Sequence, residues 1–208
     1  MFRQLYSRQA LQHLVDQSQD VKYAYHGNAT PSYGPVPLAP ASPYATSYEK
    51  SHPYPFSVTA AENPLKSHGW RVQPDGTDIC AKPGTGSGEC GAGIPAGKKL
   101  SLRILYASGD DGYTIMMDNF QSAARQAGIG ITLSEGQFNQ ITAVTGVCAM
   151  GSKACDWDGV MYGGTTMSMY PAGNGMFNTN ANGQGNYTST EADKLIGDTE
   201  FQPSSSRG

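Results

Sequence analysis

The sequence predicts an α/β fold: a mixed sheet that contains a parallel βαβ unit, with flanking helices. Leu100, Leu102 and Ile104 alternate with polar residues, as in a half-buried strand. Residues 115–127 then place apolar side chains at helical spacing, and residues 129–133 alternate again. Because a helix with tight connections separates the two strands, we expect the strands to run parallel.

The composition is that of a folded chain, with room for one domain of ordinary size or two small ones, and it does not favour nucleic acid as a partner. A chain of 208 residues is long enough to bury roughly 70% of its unfolded surface. Its net charge of −3 and pI of about 5.7 give no basic surface for a phosphate backbone. No apolar stretch approaches the roughly 18 residues of a membrane span. Residues 1–16 also lack the continuous apolar core of a secretion signal.

The first third of the chain is predicted to combine helices with an extended segment. Residues 3–17 carry an apolar stripe at helical spacing and predict a helix. Residues 31–55 hold seven of the thirteen prolines, so we expect an extended segment without a helix. A helix is expected within residues 57–68, where Pro64 either kinks it or follows a start capped by Asn63.

The rest of the chain is predicted to add a hairpin and several short elements. Residues 70–73 and 77–80 flank a Pro-Asp-Gly turn, which is typical of a hairpin. Four further features are expected: a helix around residues 137–144, a strand over 157–162, a helix through Ile196 after a capping box at 188–191, and a flexible tail over 201–208.

The four cysteines fall into two local pairs and favour an oxidising compartment. Cys80 and Cys90 are separated by nine residues, and Cys148 and Cys155 by six. These spacings are not those of zinc sites, and no histidine lies near either pair, so we expect no metal. Two loops closed by disulfides fit better, although four cysteines allow three pairings. Four free thiols in a cytosolic protein are the alternative.

Two glycine-rich motifs resemble nucleotide-binding loops but lack the context that such loops require. Gly86–Gly91 matches G-x-G-x-x-G, yet no helix follows to supply amides to a pyrophosphate. Gly97-Lys98-Lys99 lacks the earlier glycine and the magnesium-binding hydroxyl of a phosphate loop. We therefore expect no cofactor.

Catalytic residues are not evident, and we expect a protein that is not an enzyme. The histidines His13, His26, His52 and His68 all lie in the first third of the chain, and no G-x-S-x-G motif occurs. A secreted hydrolase is an alternative, which would need a histidine within reach of a serine or an acid in one cleft.

The segment after Trp157 is the best candidate for a ligand-binding site. A strand that runs into two glycines and a polar loop presents backbone amides and hydroxyl groups to a ligand. Trp157 itself is expected to pack in the core. The predicted ligand-binding residues are Tyr162, Gly163, Gly164, Thr165, Thr166 and Met167: an aromatic wall, backbone that a ligand approaches closely, hydroxyl donors and an apolar contact.

Short motifs along most of the chain together resemble one family. They are Arg8-Gln9-Ala10-Leu11 with Val15-Asp16; Gly27, Pro31 and Gly34-Pro35; Pro53-Tyr54; Ala60-Ala61, Leu65-Lys66 and His68-Gly69-Trp70; residues 100–106, 126–129 and 131–133; Trp157-Asp158, Gly163-Gly164 and Tyr170-Pro171; and Asn186-Tyr187 with residues 193–196. In this order they resemble the extracytoplasmic solute-binding proteins of ABC importers, of the oligopeptide-, dipeptide- and nickel-binding type (family 5).

The resemblance implies one lobe of a longer, two-lobed binding protein. It covers only the C-terminal lobe, so we expect residues 1–200 to form a single ligand-binding lobe that lacks its N-terminal partner lobe and its signal segment. It implies a peptide or other small solute as ligand, ABC permease subunits as partners, and an extracytoplasmic location, either periplasmic or anchored at the cell surface as a lipoprotein. It also accounts for disulfides, in the pairs Cys80–Cys90 and Cys148–Cys155.

Two departures from the family pattern and one further alternative complete the prediction. Pro64 lies where relatives have an uninterrupted helix, and residues 165–170 lack the acid that pairs with a peptide's amino group in many relatives. Burying an amine without a counter-charge costs several kcal/mol, so a capped, neutral or non-peptide ligand is expected. The alternative function is a secreted carbohydrate- or cell-wall-binding interaction module, which would not be encoded beside permease and ATPase genes.

Overall fold

The computed structural model describes residues 3–146, 155–163, 179 and 188–201. None of the helices in this part of the chain is long and apolar enough to cross a bilayer. The helices are α1 (Leu5–Gln12), α2 (Gln17–Tyr23), α3 (Ser47–Lys50), α4 (Val58–Ser67), α5 (Asp111–Gln126), α6 (Phe138–Gly146) and α7 (Thr190–Phe201). The strands are β1 (Trp70–Arg71), β2 (Ile79–Cys80), β3 (Ser101–Ala107), β4 (Gly130–Gly136) and β5 (Gly159–Met161).

The chain divides into two compact units. The first comprises Met1–Pro31, Pro53–Ile141 and Asp156–Gly163, and it contains the sheet. The second comprises Ser32–His52, Thr142–Cys155 and Gly164–Gly208.

A three-stranded parallel sheet in the order β4-β3-β5 organises the first unit. The register of β3 with β4 runs from Ser101 opposite Gly130 to Ala107 opposite Gly136. Helix α5 connects these two strands and packs its buried Ala123 and Ala124 against the unit's core. The α/β class and the parallel βαβ unit are thus confirmed. The antiparallel pairing belongs to the separate hairpin of β1 and β2.

A hydrogen-bonded chain of buried groups ties α1 to the disulfide loop. The Trp70 indole donates to the Tyr6 hydroxyl at 2.8 Å, and that hydroxyl donates to the Cys90 carbonyl at 2.5 Å. Cys90 forms a disulfide with Cys80, and both are buried. The predicted pair Cys80–Cys90 is therefore present, whereas Cys148 of the second predicted pair lies outside the described residues.

The N-terminal helix is shorter than predicted, and a separate helix, capped by Asp16, follows it. Helix α1 ends at Gln12, and the Asp16 carboxylate then accepts hydrogen bonds from the Ser18 and Gln19 amides to begin α2. These bonds satisfy amide groups that a helix start leaves without partners. The prediction of one continuous helix over residues 3–17 is wrong in this respect.

Helix α4 contains Pro64 in its interior, and its cap is Ser57. The Ser57 hydroxyl accepts a hydrogen bond from the Ala60 amide at 3.1 Å. At the other end, His68 Nδ1 donates to the Pro64 carbonyl at 2.7 Å. The alternative start at Asn63 is therefore wrong, and the packing of Ala61 and Leu65 in the core maintains the helix across the proline.

In the second unit, the proline-rich segment includes a single helical turn, contrary to prediction. Helix α3 begins with a capping box, in which Thr46 and Glu49 exchange side-chain and backbone hydrogen bonds. Glu49 is buried and also accepts from the Val36 amide at 3.2 Å. Burial raises the pKa of Glu49, but the hydrogen bonds from Thr46 and Val36 outweigh it and lower this pKa overall.

Candidate functional site

The carboxyl ends of the three parallel strands define one edge of the sheet, where ligands bind in open α/β folds. We call it the carboxyl edge and define it as residues 107–113, 136–138 and 161–163, where β3, β4 and β5 end. The Ser108 amide donates to the Gly136 carbonyl at 2.8 Å, which joins the ends of β3 and β4. The segment that follows β5 is the one for which ligand binding is predicted.

Two aromatic rings meet at the carboxyl edge. Tyr162 follows β5, and Phe138 begins α6 just after β4. Their ring centroids are 5.9 Å apart in an edge-to-face arrangement, which is a favourable aromatic geometry. Phe138 is 56% exposed, whereas Tyr162 is half-buried. The edge therefore presents aromatic surface to its surroundings.

Gly163 adopts a backbone conformation that L side chains rarely adopt, with φ +111°. A Cβ at this position would lie 2.9 Å from the Tyr113 hydroxyl, too close for an ordinary contact. Tyr113 belongs to the first turn of α5, after β3. The absence of a side chain at Gly163 thus makes room for the Tyr113 hydroxyl beside the Gly163 backbone.

At the start of α5, the Asp110 carboxylate binds a backbone amide of the same helix. Asp110 caps the helix, and its Oδ1 accepts a hydrogen bond from the Gly112 amide at 2.8 Å. The nearby phenol of Tyr25 has a raised pKa, because burial disfavours its charged form and Tyr113, Asp110 and Asp20 add to the effect.

Of the six predicted ligand-binding residues, the structure places two at the carboxyl edge. These are Tyr162 and Gly163, while Gly164, Thr165, Thr166 and Met167 lie outside the described residues. The sequence analysis did not identify Phe138 and Tyr113, which the parallel register brings beside the predicted pair. The only sequence signal for them is that each follows closely on a predicted strand.

A concave surface is lined by residues other than the predicted ligand-binding ones. It is an open cleft of about 570 Å³ between the first turns of α1, His68 and the glycine-rich loop of residues 85–92. The Glu89 carboxylate in this loop accepts a hydrogen bond from the Gly86 amide at 2.6 Å. The G-x-G-x-x-G motif thus lies in the loop that the Cys80–Cys90 disulfide closes, and its amide at Gly86 is bound by the Glu89 carboxylate of the same loop.

Two histidines of the first unit, His13 and His68, contact backbone carbonyls and aromatic rings. His13 Nδ1 donates to the Pro55 carbonyl at 2.8 Å. His68 stacks on Tyr6 with a centroid separation of 4.0 Å. Within the described residues, no group of three or more His, Cys, Asp or Glu side chains is arranged to hold a metal ion.

The fold of this chain is similar to that of part of several solved binding proteins. The oligopeptide-binding protein AppA from Bacillus subtilis, solved with a nonapeptide, is 20% identical, with a TM-score of 0.71 over 98% of this chain and 37% of that one. The oligopeptide-binding protein from Thermus thermophilus, solved with a pentapeptide, is 17% identical, with a TM-score of 0.71 over 97% of this chain and 33% of that one. NikZ from Campylobacter jejuni, solved with Ni(L-His), is 19% identical, with a TM-score of 0.67 over 99% and 37%.

These similarities establish the fold and also a difference in length. This chain is matched almost completely, but it spans only about a third of each of these three proteins. No curated protein sequence matches it. The sequence model of the bacterial extracellular solute-binding proteins, family 5 (middle region), matches residues 1–192. Since this match covers nearly the whole chain, the chain belongs to the family 5 bacterial extracellular solute-binding proteins.

Proposed function

We propose that the chain is one lobe of the substrate-binding component of an ABC importer, which captures peptides or similar small solutes outside the membrane and delivers them to a permease. Membership of the solute-binding family supports this function. The length difference supports a missing N-terminal lobe, because the similar structures are about three times longer. In this proposal both units belong to the same lobe, residues 1–200, and the protein is not an enzyme.

The observation that carries the proposal is the carboxyl edge. There β5 leads directly into Tyr162 and Gly163, and the Tyr162 ring packs edge-to-face against the exposed Phe138. Parallel α/β sheets bind ligands at the carboxyl ends of their strands. An aromatic wall beside a glycine backbone and a phenolic hydroxyl matches what small-molecule sites provide: apolar contact area with a few hydrogen-bonding groups.

Each predicted residue has a chemical role in this proposal. Tyr162 forms the aromatic wall, and the backbones of Gly163 and Gly164 approach the ligand closely. The hydroxyl groups of Thr165 and Thr166 donate hydrogen bonds, and Met167 makes an apolar contact. We further propose an extracytoplasmic location, periplasmic or anchored at the cell surface as a lipoprotein, in keeping with the Cys80–Cys90 disulfide and with the predicted pair Cys148–Cys155.

Native mass spectrometry of the full-length protein, purified from its own organism, tests this function. We expect a co-purified small molecule, released on denaturation, whose occupancy falls at least tenfold in the Tyr162→Ala variant. Tyr23→Ala is the matched control, because Tyr23 is an exposed tyrosine on α2, outside the carboxyl edge, and the Lys22 ammonium lies 4.7 Å from its ring centroid. Recovery of a long glycan in place of a small solute would favour the cell-wall-binding alternative and contradict the importer function.

A further inference from the structure

We infer that Phe138 contacts the ligand directly and that Phe138 and Tyr162 together bind an aromatic side chain of a peptide. This inference rests on the proposed function, which it deepens by naming the ligand group that the carboxyl edge receives. It adds a residue that precedes the predicted ligand-binding segment by more than twenty positions in the sequence.

The first argument is the exposure of Phe138. Its ring is 56% exposed although it starts a helix directly beside the sheet. Exposed apolar surface lacks the favourable free energy that burial away from water would provide. Since Tyr162 already holds the ring in an edge-to-face contact at 5.9 Å, the side chain is oriented before any ligand arrives. A third ring that packs on this pair gains both burial and aromatic contacts.

The second argument concerns charge. Two acids lie at the carboxyl edge, Asp110 and Asp111, and the Asp110 Oδ1 is occupied by the Gly112 amide. Both acids lie at the N-terminus of α5, where the positive end of a 16-residue helix dipole offsets their charge and disfavours a cation. An uncharged ring therefore suits this edge better than an ammonium group.

The third argument is the polar surroundings of the ring pair. The Gly163 backbone and the Tyr113 hydroxyl lie side by side at the same edge. They provide hydrogen-bonding groups next to an apolar wall. A peptide supplies the complement of this arrangement, because its backbone forms hydrogen bonds immediately beside each side chain.

The experiment measures which peptides the full-length protein retains. The probe is an equimolar set of N-acetylated alanine tripeptides, in which Phe, Leu, Lys or Ser replaces each position in turn. The immobilised protein is incubated with the set, and the retained peptides are quantified by mass spectrometry. We expect Phe peptides to be enriched about tenfold over Ser peptides, the ratio that about 1.4 kcal/mol of extra contact gives.

Three variants locate the preference. Phe138→Ala and Phe138→Leu are both expected to reduce the Phe enrichment to less than about threefold, and the leucine variant does so while keeping apolar volume at this position. Phe56→Ala is the matched control, because Phe56 is a 40% exposed phenylalanine that precedes α4, and its removal should leave the enrichment unchanged.

The outcomes separate this inference from the proposed function. Retention of peptides without a Phe preference, or with a preference for Lys, overturns the inference and leaves the binding function intact. A Phe preference that survives Phe138→Ala overturns it as well. If the full-length protein retains no peptide at all, peptide binding itself is wrong, and the inference fails with it.

Discussion

The Trp70 indole nitrogen lies 2.8 Å from the Tyr6 hydroxyl, which it uses as its hydrogen-bond acceptor. Both residues are buried, and the Tyr6 hydroxyl in turn donates a hydrogen bond to the Cys90 carbonyl. One phenolic oxygen thus satisfies a donor from the hairpin and an acceptor from the disulfide loop. These two groups would otherwise be buried without partners.

Removing that oxygen is expected to destabilise the first unit. Tyr6→Phe keeps the ring but leaves the Trp70 donor and the Cys90 acceptor unsatisfied, so we expect a loss of about 1–3 kcal/mol in the free energy of unfolding. Tyr23→Phe, at a 49% exposed position, is the control and should change stability by less than about 0.5 kcal/mol. Urea denaturation followed by circular dichroism measures both, and equal stabilities for the two variants would contradict the prediction.

Gly128, like Gly163, is a position where the surrounding structure leaves no room for a side chain. It ends the α5 segment with φ +80°, and a Cβ here would overlap the Asp78 carboxylate. Gly93 has a similar φ of +74° but has no atom within 4 Å of the corresponding Cβ position. The two glycines therefore share the backbone requirement and differ in the space around them.

Alanine substitutions at these two glycines should separate strain from steric overlap. Gly93→Ala is expected to cost about 1 kcal/mol, the penalty of a left-handed backbone for an L residue. Gly128→Ala should cost about 2–4 kcal/mol, because it adds the displacement of a buried carboxylate. Thermal unfolding of both variants measures the difference. A Gly128→Ala variant no less stable than Gly93→Ala would show that the surroundings of Asp78 relax freely.

Local periodicity was sufficient to predict the βαβ unit, since β3, α5 and β4 each have a regular apolar pattern and a glycine or a cap at the boundary. It failed where side-chain capping decides the structure. The proline content of residues 31–55 concealed the α3 turn, which depends on the reciprocal bonds of Thr46 and Glu49. Apolar spacing likewise did not reveal the break at Asp16 that separates α1 from α2.

The candidate site was predictable only where it lies in one continuous segment. Tyr162 and Gly163 follow a strand and adjoin each other in sequence, so their pattern was visible. Phe138 reaches the same edge through the register of two different strands, which no local pattern specifies. The pairing of Phe138 with Tyr162 therefore required the three-dimensional structure.

Asp78 should make stability depend on pH. Its side chain is fully buried, Oδ1 accepts from the Gln73 amide at 2.7 Å, and Oδ2 has no hydrogen-bond partner. Burial raises its pKa to about 6; the Gln73 hydrogen bond and Lys66 oppose this rise, and Glu62 adds to it. Because the folded state holds this proton more tightly than the unfolded state does, the contribution of Asp78 to stability is largest below pH 4 and falls as pH rises through about 6.

The Asp78→Asn variant isolates this effect. The stability of the wild-type protein relative to the variant should fall by about 2 kcal/mol between pH 4.5 and pH 7.5, since the amide does not titrate. Urea denaturation of both proteins at the two pH values gives the comparison, and other titrating groups cancel in the difference. A difference that stays constant with pH would show that the buried carboxyl keeps the same protonation state throughout this range.

The binding strength of the chain alone tests whether it acts as one of two lobes. A ligand held between two lobes loses about half of its contacts when one lobe is absent, and losing several kcal/mol of contact energy weakens binding by a factor of about 1,000 or more. We therefore expect residues 1–208 to bind the solute recovered from the full-length protein at least 1,000-fold more weakly in isothermal titration calorimetry. The circular dichroism spectrum of the chain provides the control, because it must show the α/β content of a folded lobe. Tight binding by the folded chain would mean that these residues form a complete site without a second lobe.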